Sequence, residues 1–232
     1  MKPKEVLAIV PAKGTSVRLP GKMMMPLDGR TLVDHAFDAA KESTSVTKTV
    51  LFSNSEEIAE RAELHSLDIQ LIKETTELTK APAIEYIRYV LSKLSQQGYS
   101  PDIVTVLQPT SPLRKGHHID KGIEILLESG ADSVVGLKRI SDPIEWMYKL
   151  DESNSMEKLV ESYAQYFQKS EEIFVLNGAF YGFTPSSFKK FEKYLFGGKM
   201  VGYVMDDLSS VDIDTKLDFI VAESLVKLNQ TS

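Results

Sequence analysis

Val6-Leu7-Ala8-Ile9-Val10 runs directly into Pro11-Ala12-Lys13-Gly14-Thr15-Ser16-Val17-Arg18-Leu19-Pro20-Gly21-Lys22. Five consecutive apolar residues, rich in β-branched side chains, read as a strand buried on both faces, the habit of a parallel sheet covered by helices on its two sides. The segment that follows then leaves the carboxyl end of a parallel strand, the edge along which open α/β sheets bind their ligands. Gly14 and Gly21 permit close backbone approach there, and Thr15 and Ser16 offer hydroxyl donors. Lys13, Arg18 and Lys22 put three cations within ten residues. Polyphosphate oxygens take both backbone N–H groups and fixed positive charge, so the loop reads as phosphate-binding. It matches neither the dinucleotide G-x-G-x-x-G nor the Walker G-x-x-x-x-G-K-[ST] pattern.

Outward from this unit, the alternation of short apolar runs with helical periods repeats. Thr49–Phe52, Ile69–Ile72, Ile103–Leu107 and Ser133–Leu137 are further strand candidates. Ile84, Ile87, Leu91 and Leu94 recur at helical spacing, as do Ile119, Ile123 and Leu126. Thr31-x-x-Asp34 and Ser53-x-x-Glu56 have the form of capping boxes that open two more helices. Repeated β-α units of this kind imply an α/β sheet with right-handed crossovers. The rhythm breaks over residues 138–170, an excursion holding the one tryptophan, Trp146, and a predicted helix near Met156–Phe167. It resumes with strands at Ile173–Leu176, Phe180–Phe183 and Val201–Met205, then a final helix from Thr215 to Leu228. With no repeat and no linker, residues 1–232 read as one domain.

Composition removes several classes of function. Of 232 residues, 27 are Lys or Arg and 33 are Asp or Glu, a net charge of −6 that does not suit a broad nucleic-acid surface. No apolar run approaches the roughly 20 residues that span a bilayer, and Met1 to Ile9 lacks the form of a signal peptide. Those readings predict a cytoplasmic protein that uses no membrane. The absence of cysteine rules out disulfides, thiol nucleophiles and thiolate metal sites.

Three further motifs carry chemistry. Gln108-Pro109-Thr110-Ser111-Pro112-Leu113-Arg114 follows the Ile103–Leu107 strand, so two prolines fix a turn that carries Gln108, Thr110, Ser111 and Arg114 at a ligand-binding edge. Val211-Asp212-Ile213-Asp214-Thr215 alternates apolar and acidic residues. If extended, it presents Asp212 and Asp214 on one face with Val211 and Ile213 behind. Two such oxygen ligands suit Mg²⁺, which keeps waters and takes phosphate oxygens as further ligands. Thr215-x-x-Asp218 then caps the last helix. Asn177-Gly178-Ala179 offers a polar side chain beside a close backbone approach. Asp206 and Asp207 read as a solvated turn, Tyr181 and Phe183 as core, Met23-Met24-Met25 as adaptable packing. The four histidines have no metal spacing, and His117-His118 reads as the opening of a helix after Arg114.

With these motifs in this order, the chain from Val6 to about Ala222 resembles the acylneuraminate (CMP-sialic acid) cytidylyltransferase family. Leu107-Gln108-Pro109-Thr110-Ser111-Pro112-Leu113-Arg114 is its most specific match, and Val211-Asp212-Ile213-Asp214-Thr215 matches the family's metal motif. Arg18-Leu19-Pro20-Gly21-Lys22 is closer to the CMP-Kdo synthetase branch. Departures stand at Lys13, an arginine in the family, at Val17 for lysine, at Met23 for asparagine, and at Ala83, where a hydroxyl often sits. The resemblance implies a nucleotide-diphosphosugar-transferase-like α/β/α sandwich with a mixed, mostly parallel sheet. It implies transfer of CMP from CTP to an acidic keto-sugar, a sialic acid-like nonulosonic acid, with release of pyrophosphate. Lys13, Arg18, Lys22 and Asp212 would be catalytic, and Asp212 and Asp214 would hold Mg²⁺. Ala12, Gly14, Thr15, Ser16, Lys22 and Ala83 would contact the nucleotide, and Gln108, Thr110, Arg114 and Asn177 the sugar. A homodimer built through residues 138–170 is also implied. The alternatives are a CMP-Kdo-type synthetase, or a nucleotide- or sugar-binding pseudoenzyme permitted by the departures.

Overall fold

The structure, a computed structural model, describes all residues except 1–3, 15, 17, 141, 143–145, 160–171, 192–193 and 231–232. Seven strands form one sheet in the order β11-β7-β10-β6-β1-β4-β5. They are β1 (Val6–Pro11), β4 (Lys48–Ser53), β5 (Ile69–Lys73), β6 (Ile103–Val106), β7 (Ser133–Arg139), β10 (Phe174–Phe183) and β11 (Met200–Val204). β10 runs antiparallel to both of its neighbours, and the other pairings are parallel. The sheet is therefore mixed and mostly parallel, as expected.

Residues of β1 explain the layering. Val6, Ala8 and Val10 pack on one face with α1 (Leu32–Glu42), α2 (Glu56–Glu63) and α4 (Gly116–Ser129). Leu7 and Ile9 pack on the other with α3 (Ala83–Gln96) and with Phe183, Phe188 and Phe191. All five are at most 2% exposed, and burying each large aliphatic among them contributes roughly 1.5–3 kcal/mol. The final helix, α5 (Lys216–Gln230), sits on a small third cluster in which Ala222 and Ile213 meet Leu27 and Leu32. Two small ladders stand apart from the main sheet: β2 (Pro26–Leu27) with β3 (Arg30–Thr31), and β8 (Tyr148–Leu150) with β9 (Met156–Lys158).

Strand order places the loops that matter. The chain steps from β1 outward through β4 to β5, then returns to lay β6 on the other side of β1. The loops after β1 and β6 leave neighbouring parallel strands at the same edge of the sheet, the carboxyl edge at which such sheets bind ligands, and both lead to helices on one face, α1 and α4. Because β10 is antiparallel, its beginning lies at the carboxyl end of β7, with Phe174 opposite Arg139. A break in register between Leu176 and Tyr181 sets Asn177 and Gly178 beside the turn that leaves β6.

Several expectations about local structure change. Two strands predicted between Ile173 and Phe183 are one, bulged at Asn177–Gly178, because the Asn177 side chain takes over pairing by accepting from the Ala179 N–H. The helix expected near Met156–Phe167 starts instead as β9, and its residues from 160 on lie outside those described. Ser53 does not cap α2: Ser55 does, accepting from Ile58 N, while the Ser53 hydroxyl donates to Ala12 O at 2.6 Å. The Thr31–Asp34 capping box forms in both directions, and Asp218 accepts from Thr215 as expected.

Candidate functional site

The loop after β1 is held from behind by the loop after β4. Ala12 N donates to Phe52 O at 3.0 Å, and Gly14 N to Asn54 Oδ1 at 3.3 Å. Ser16 Oγ accepts from Leu19 N at 3.4 Å. Gly21 turns the chain with φ +70°, a conformation costly for any residue with a Cβ, and delivers Lys22 into a short 3-10 turn. Thr15 and Val17 lie outside the described residues. Ala83 opens α3, four residues beyond Thr79, with no side chain capping it.

Each cation of the loop meets a carboxylate. Arg18 Nη2 is 2.7 Å from Asp214 Oδ2, and Lys22 Nζ is 3.0 Å from Asp214 Oδ1 and 3.1 Å from Ile213 O. The Lys22–Asp214 pair draws together residues 192 positions apart in sequence. Lys13 Nζ donates to Thr79 O at 2.7 Å and lies 3.5 Å from Glu74 Oε1. Glu74 has a fully buried side chain whose oxygens accept no hydrogen bond. Sequence reasoning missed it, although a glutamate at the carboxyl end of an apolar edge strand is a signal of the kind used elsewhere.

The acidic pair is not part of a strand, yet the alternation holds. Val211 and Ile213 join the cluster under α5, whereas Asp212 reaches Gly178 and Asp214 meets Arg18 and Lys22. Ile213 N donates to Thr110 O at 2.7 Å, which locks this segment to the turn after β6. Burial raises the Asp212 carboxyl above its ordinary pKa. The Thr110 hydrogen bond and Lys22 pull downward, and the Asp214 and Asp218 charges push up. Its Oδ1 is buried with no hydrogen-bond partner. Among the described residues no group of three or more His, Asp or Glu could hold a metal. A cation here would therefore take ligands from water and phosphate beyond two carboxylates, which is the habit of Mg²⁺. Asp212, with its unpartnered oxygen, fits that role, and Asp214 would supply a second ligand once released by Arg18 and Lys22.

Gln108, Gly178 and Asp212 converge. A Cβ at Gly178, where φ is +75°, would lie 3.2 Å from Gln108 Oε1 and 3.4 Å from Asp212 Oδ2. Arg114 does not join them at the surface. It is 1% exposed, and its Nη1 donates to Gln108 O at 3.2 Å and Ala179 O at 3.1 Å, bracing the turn against β10 from below. Burial lowers its pKa to about 9, which leaves it charged at neutral pH. Asn177 is also buried, bonded through Nδ2 to Ser210 Oγ at 2.9 Å. Beside Asp212 opens a cavity of about 560 Å³ whose lining includes Lys138, Arg139, Val175, Ser210 and Val221. The basic pair Lys138-Arg139 was overlooked; it directly follows the predicted strand Ser133–Leu137 and in the structure forms the carboxyl end of β7. His118, within α4, has its pKa lowered by burial and by His117, and its Nε2 is 3.6 Å from Asp206 Oδ2.

The sequence matches, over residues 7–231, the model of the family described as cytidylyltransferase. It is 31% identical to the CMP-N,N'-diacetyllegionaminic acid synthase of Legionella pneumophila, over 97% of each chain. It is 29% identical to the N-acylneuraminate cytidylyltransferase of Escherichia coli, over 94% of this chain and 51% of the relative. It is 25% identical to a pseudaminic acid cytidylyltransferase of Campylobacter jejuni, over 97% of this chain and 98% of the relative. Among solved structures, a CMP:2-keto-3-deoxy-manno-octonic acid synthetase complexed with CTP superposes with TM-score 0.71 at 11% identity, covering 97% of this chain and 99% of that one. A 4-diphosphocytidyl-2C-methyl-D-erythritol synthase from Anaerococcus prevotii gives TM-score 0.69 at 14% identity, covering 97% and 100%.

Proposed function

The chain belongs to the cytidylyltransferase family, and from that premise we propose that it joins CMP from CTP to a nonulosonic acid of the sialic-acid kind, releasing pyrophosphate. The observation that carries this reading is the meeting of the glycine- and cation-rich loop after β1 with the acidic pair at 212 and 214, through Arg18 and Lys22. Charge of both signs then stands where a triphosphate and its cation would be shared. The sugar's anomeric hydroxyl attacks the α-phosphorus in line, its proton leaves to solvent, and the bond to the β,γ-phosphates breaks. Lys13, Arg18 and Lys22 offset the charge that develops on the phosphates. Bound Mg²⁺, held by Asp212 and Asp214, would supply further charge stabilisation and favour loss of the hydroxyl proton.

Gln108, which approaches Gly178 together with Asp212, orients the sugar, while Arg114 braces the turn after β6 and Asn177 holds Ser210 at the cavity wall. Names of the full-length relatives favour nine-carbon acidic sugars. A Kdo-type acceptor rests on the Arg18-Leu19-Pro20-Gly21-Lys22 stretch and on likeness of fold at 11% identity. The exposed β8–β9 ladder, with Trp146, Leu150 and Met156 all more than 60% exposed, supports a homodimer formed through residues 138–170.

The test is pyrophosphate release from CTP and Mg²⁺ across a panel of keto acids that includes legionaminic, pseudaminic, sialic and Kdo forms. Turnover with a nonulosonic acid is expected. CTP binding without turnover on any of the panel would mean a pseudoenzyme, and Kdo as the sole substrate would move the reading to the alternative.

A further inference from the structure

All three cations of the loop after β1 already face carboxylates of this chain, at 2.7 and 3.0 Å for Arg18 and Lys22 on Asp214, and 3.5 Å for Lys13 on Glu74. Asp214 gives one oxygen to each of its two partners, the geometry by which two phosphate oxygens would engage an arginine and a lysine. We propose that Asp214 holds the place of a phosphate: its carboxylate is an internal competitor that a nucleoside triphosphate displaces from Arg18 and Lys22 on binding. The proposal rests on the nucleotide reading above and deepens it.

The two contacts differ in strength. Arg18 has a side chain 67% exposed, so its ion pair is screened and readily exchanged. Lys22 is 10% exposed at the side chain and also donates to Ile213 O, so its charge is held with little help from water. Competition is therefore strongest at Lys22, and the Arg18 pair adds a measurable share to it. Displacement also frees both oxygens of Asp214, which are otherwise committed to Arg18 and Lys22. The phosphate loop and the 211–214 segment are thereby tied together before nucleotide arrives and are available to different partners afterwards.

The experiment is calorimetric titration of CTP into the full chain in EDTA, with no divalent cation. Without its carboxylate, Asp214→Asn should bind CTP about three- to tenfold tighter than the wild type. Removing a negative charge also relieves repulsion, so Asp212→Asn is the control: it deletes an equal charge but frees neither cation, and it should gain less. The gain from Asp214→Asn should shrink in an Arg18→Gln background, since one of the two released partners is gone. An Asp214→Asn affinity equal to or weaker than wild type overturns the proposal. So does a gain matched by Asp212→Asn, or one undiminished by Arg18→Gln. Asp214→Ala serves if the asparagine variant does not fold. If the wild type binds no CTP even with Mg²⁺, the nucleotide reading itself fails and takes this proposal with it. Wild-type binding without the gain defeats the proposal alone.

Discussion

Asp212 and Asp214 carry the same carboxylate two positions apart, yet their surroundings differ. Asp214 is neutralised by two cations, whereas Asp212 is pressed into a site where burial raises its pKa and one oxygen goes unpartnered. A group whose folded pKa is raised favours the fold below its unfolded pKa, and that advantage is lost as pH rises through the folded value. Asp212→Asn should therefore melt at a higher temperature than the wild type near pH 7 in EDTA, and the gap should close as pH falls below about 4. The same change should cut turnover about a hundredfold or more. Melting curves across pH and steady-state rates check both; equal melting temperatures at pH 7 would remove the claim of burial cost. Arg114 shows the opposite outcome. Its type and position in the motif read as a ligand-binding cation, but its guanidinium lies under the turn, where Nη1 donates to the backbone carbonyls of Gln108 and Ala179.

Among the elements, α1 shows a local signal extended by tertiary structure. Thr31-x-x-Asp34 was legible as a capping box because both bonds are made within four residues. That Arg61 of α2 also grips the Asp34 carboxylate, at 2.7–3.0 Å through Nε and Nη2, was not. Burial would raise the Asp34 pKa, but bonds from Arg61 and Thr31 leave it below the ordinary value. A depressed carboxyl stabilises above its unfolded pKa, and the contribution disappears as pH falls through the folded value. Asp34→Ala should cost about 1 kcal/mol near neutral pH, from the lost half of the capping box and the lost, solvent-screened pair with Arg61. The difference from wild type should narrow on acidification below about pH 4. Urea unfolding at pH 7 and pH 3 measures it, and a penalty that does not depend on pH would refute the ion-pair part. β10 shows the limit of periodicity: two apolar runs were visible, but the bulge that joins them is set by the Asn177 side chain and by pairing with β7.

At the scale of the molecule, the order of strands sets the site-bearing loops side by side at one edge of the sheet, and the β8–β9 ladder leaves apolar side chains exposed. Trp146, Leu150 and Met156 are 71%, 64% and 62% exposed, a group that monomeric proteins tend to cover. The proposed homodimer should give twice the chain mass in light scattering. Leu150→Asp should shift it toward the monomer, with the melting of the main sheet little changed; a wild-type monomer would refute the interface.

By itself the sequence determined the layered α/β sheet, the cation-bearing loop at a strand's carboxyl end, the turn after β6 and the acidic pair. Each of these is written in local periodicity, in residues that fix turns, or in charges crowded into a few positions. Tertiary structure alone decided that Asp214 answers Arg18 and Lys22, that Glu74 faces Lys13, that Arg114 is buried, and that Lys138 and Arg139 border the cavity beside Asp212. Those relations join segments tens to nearly two hundred residues apart. They depend on strand order and on one antiparallel strand, which no short window of side chains specifies.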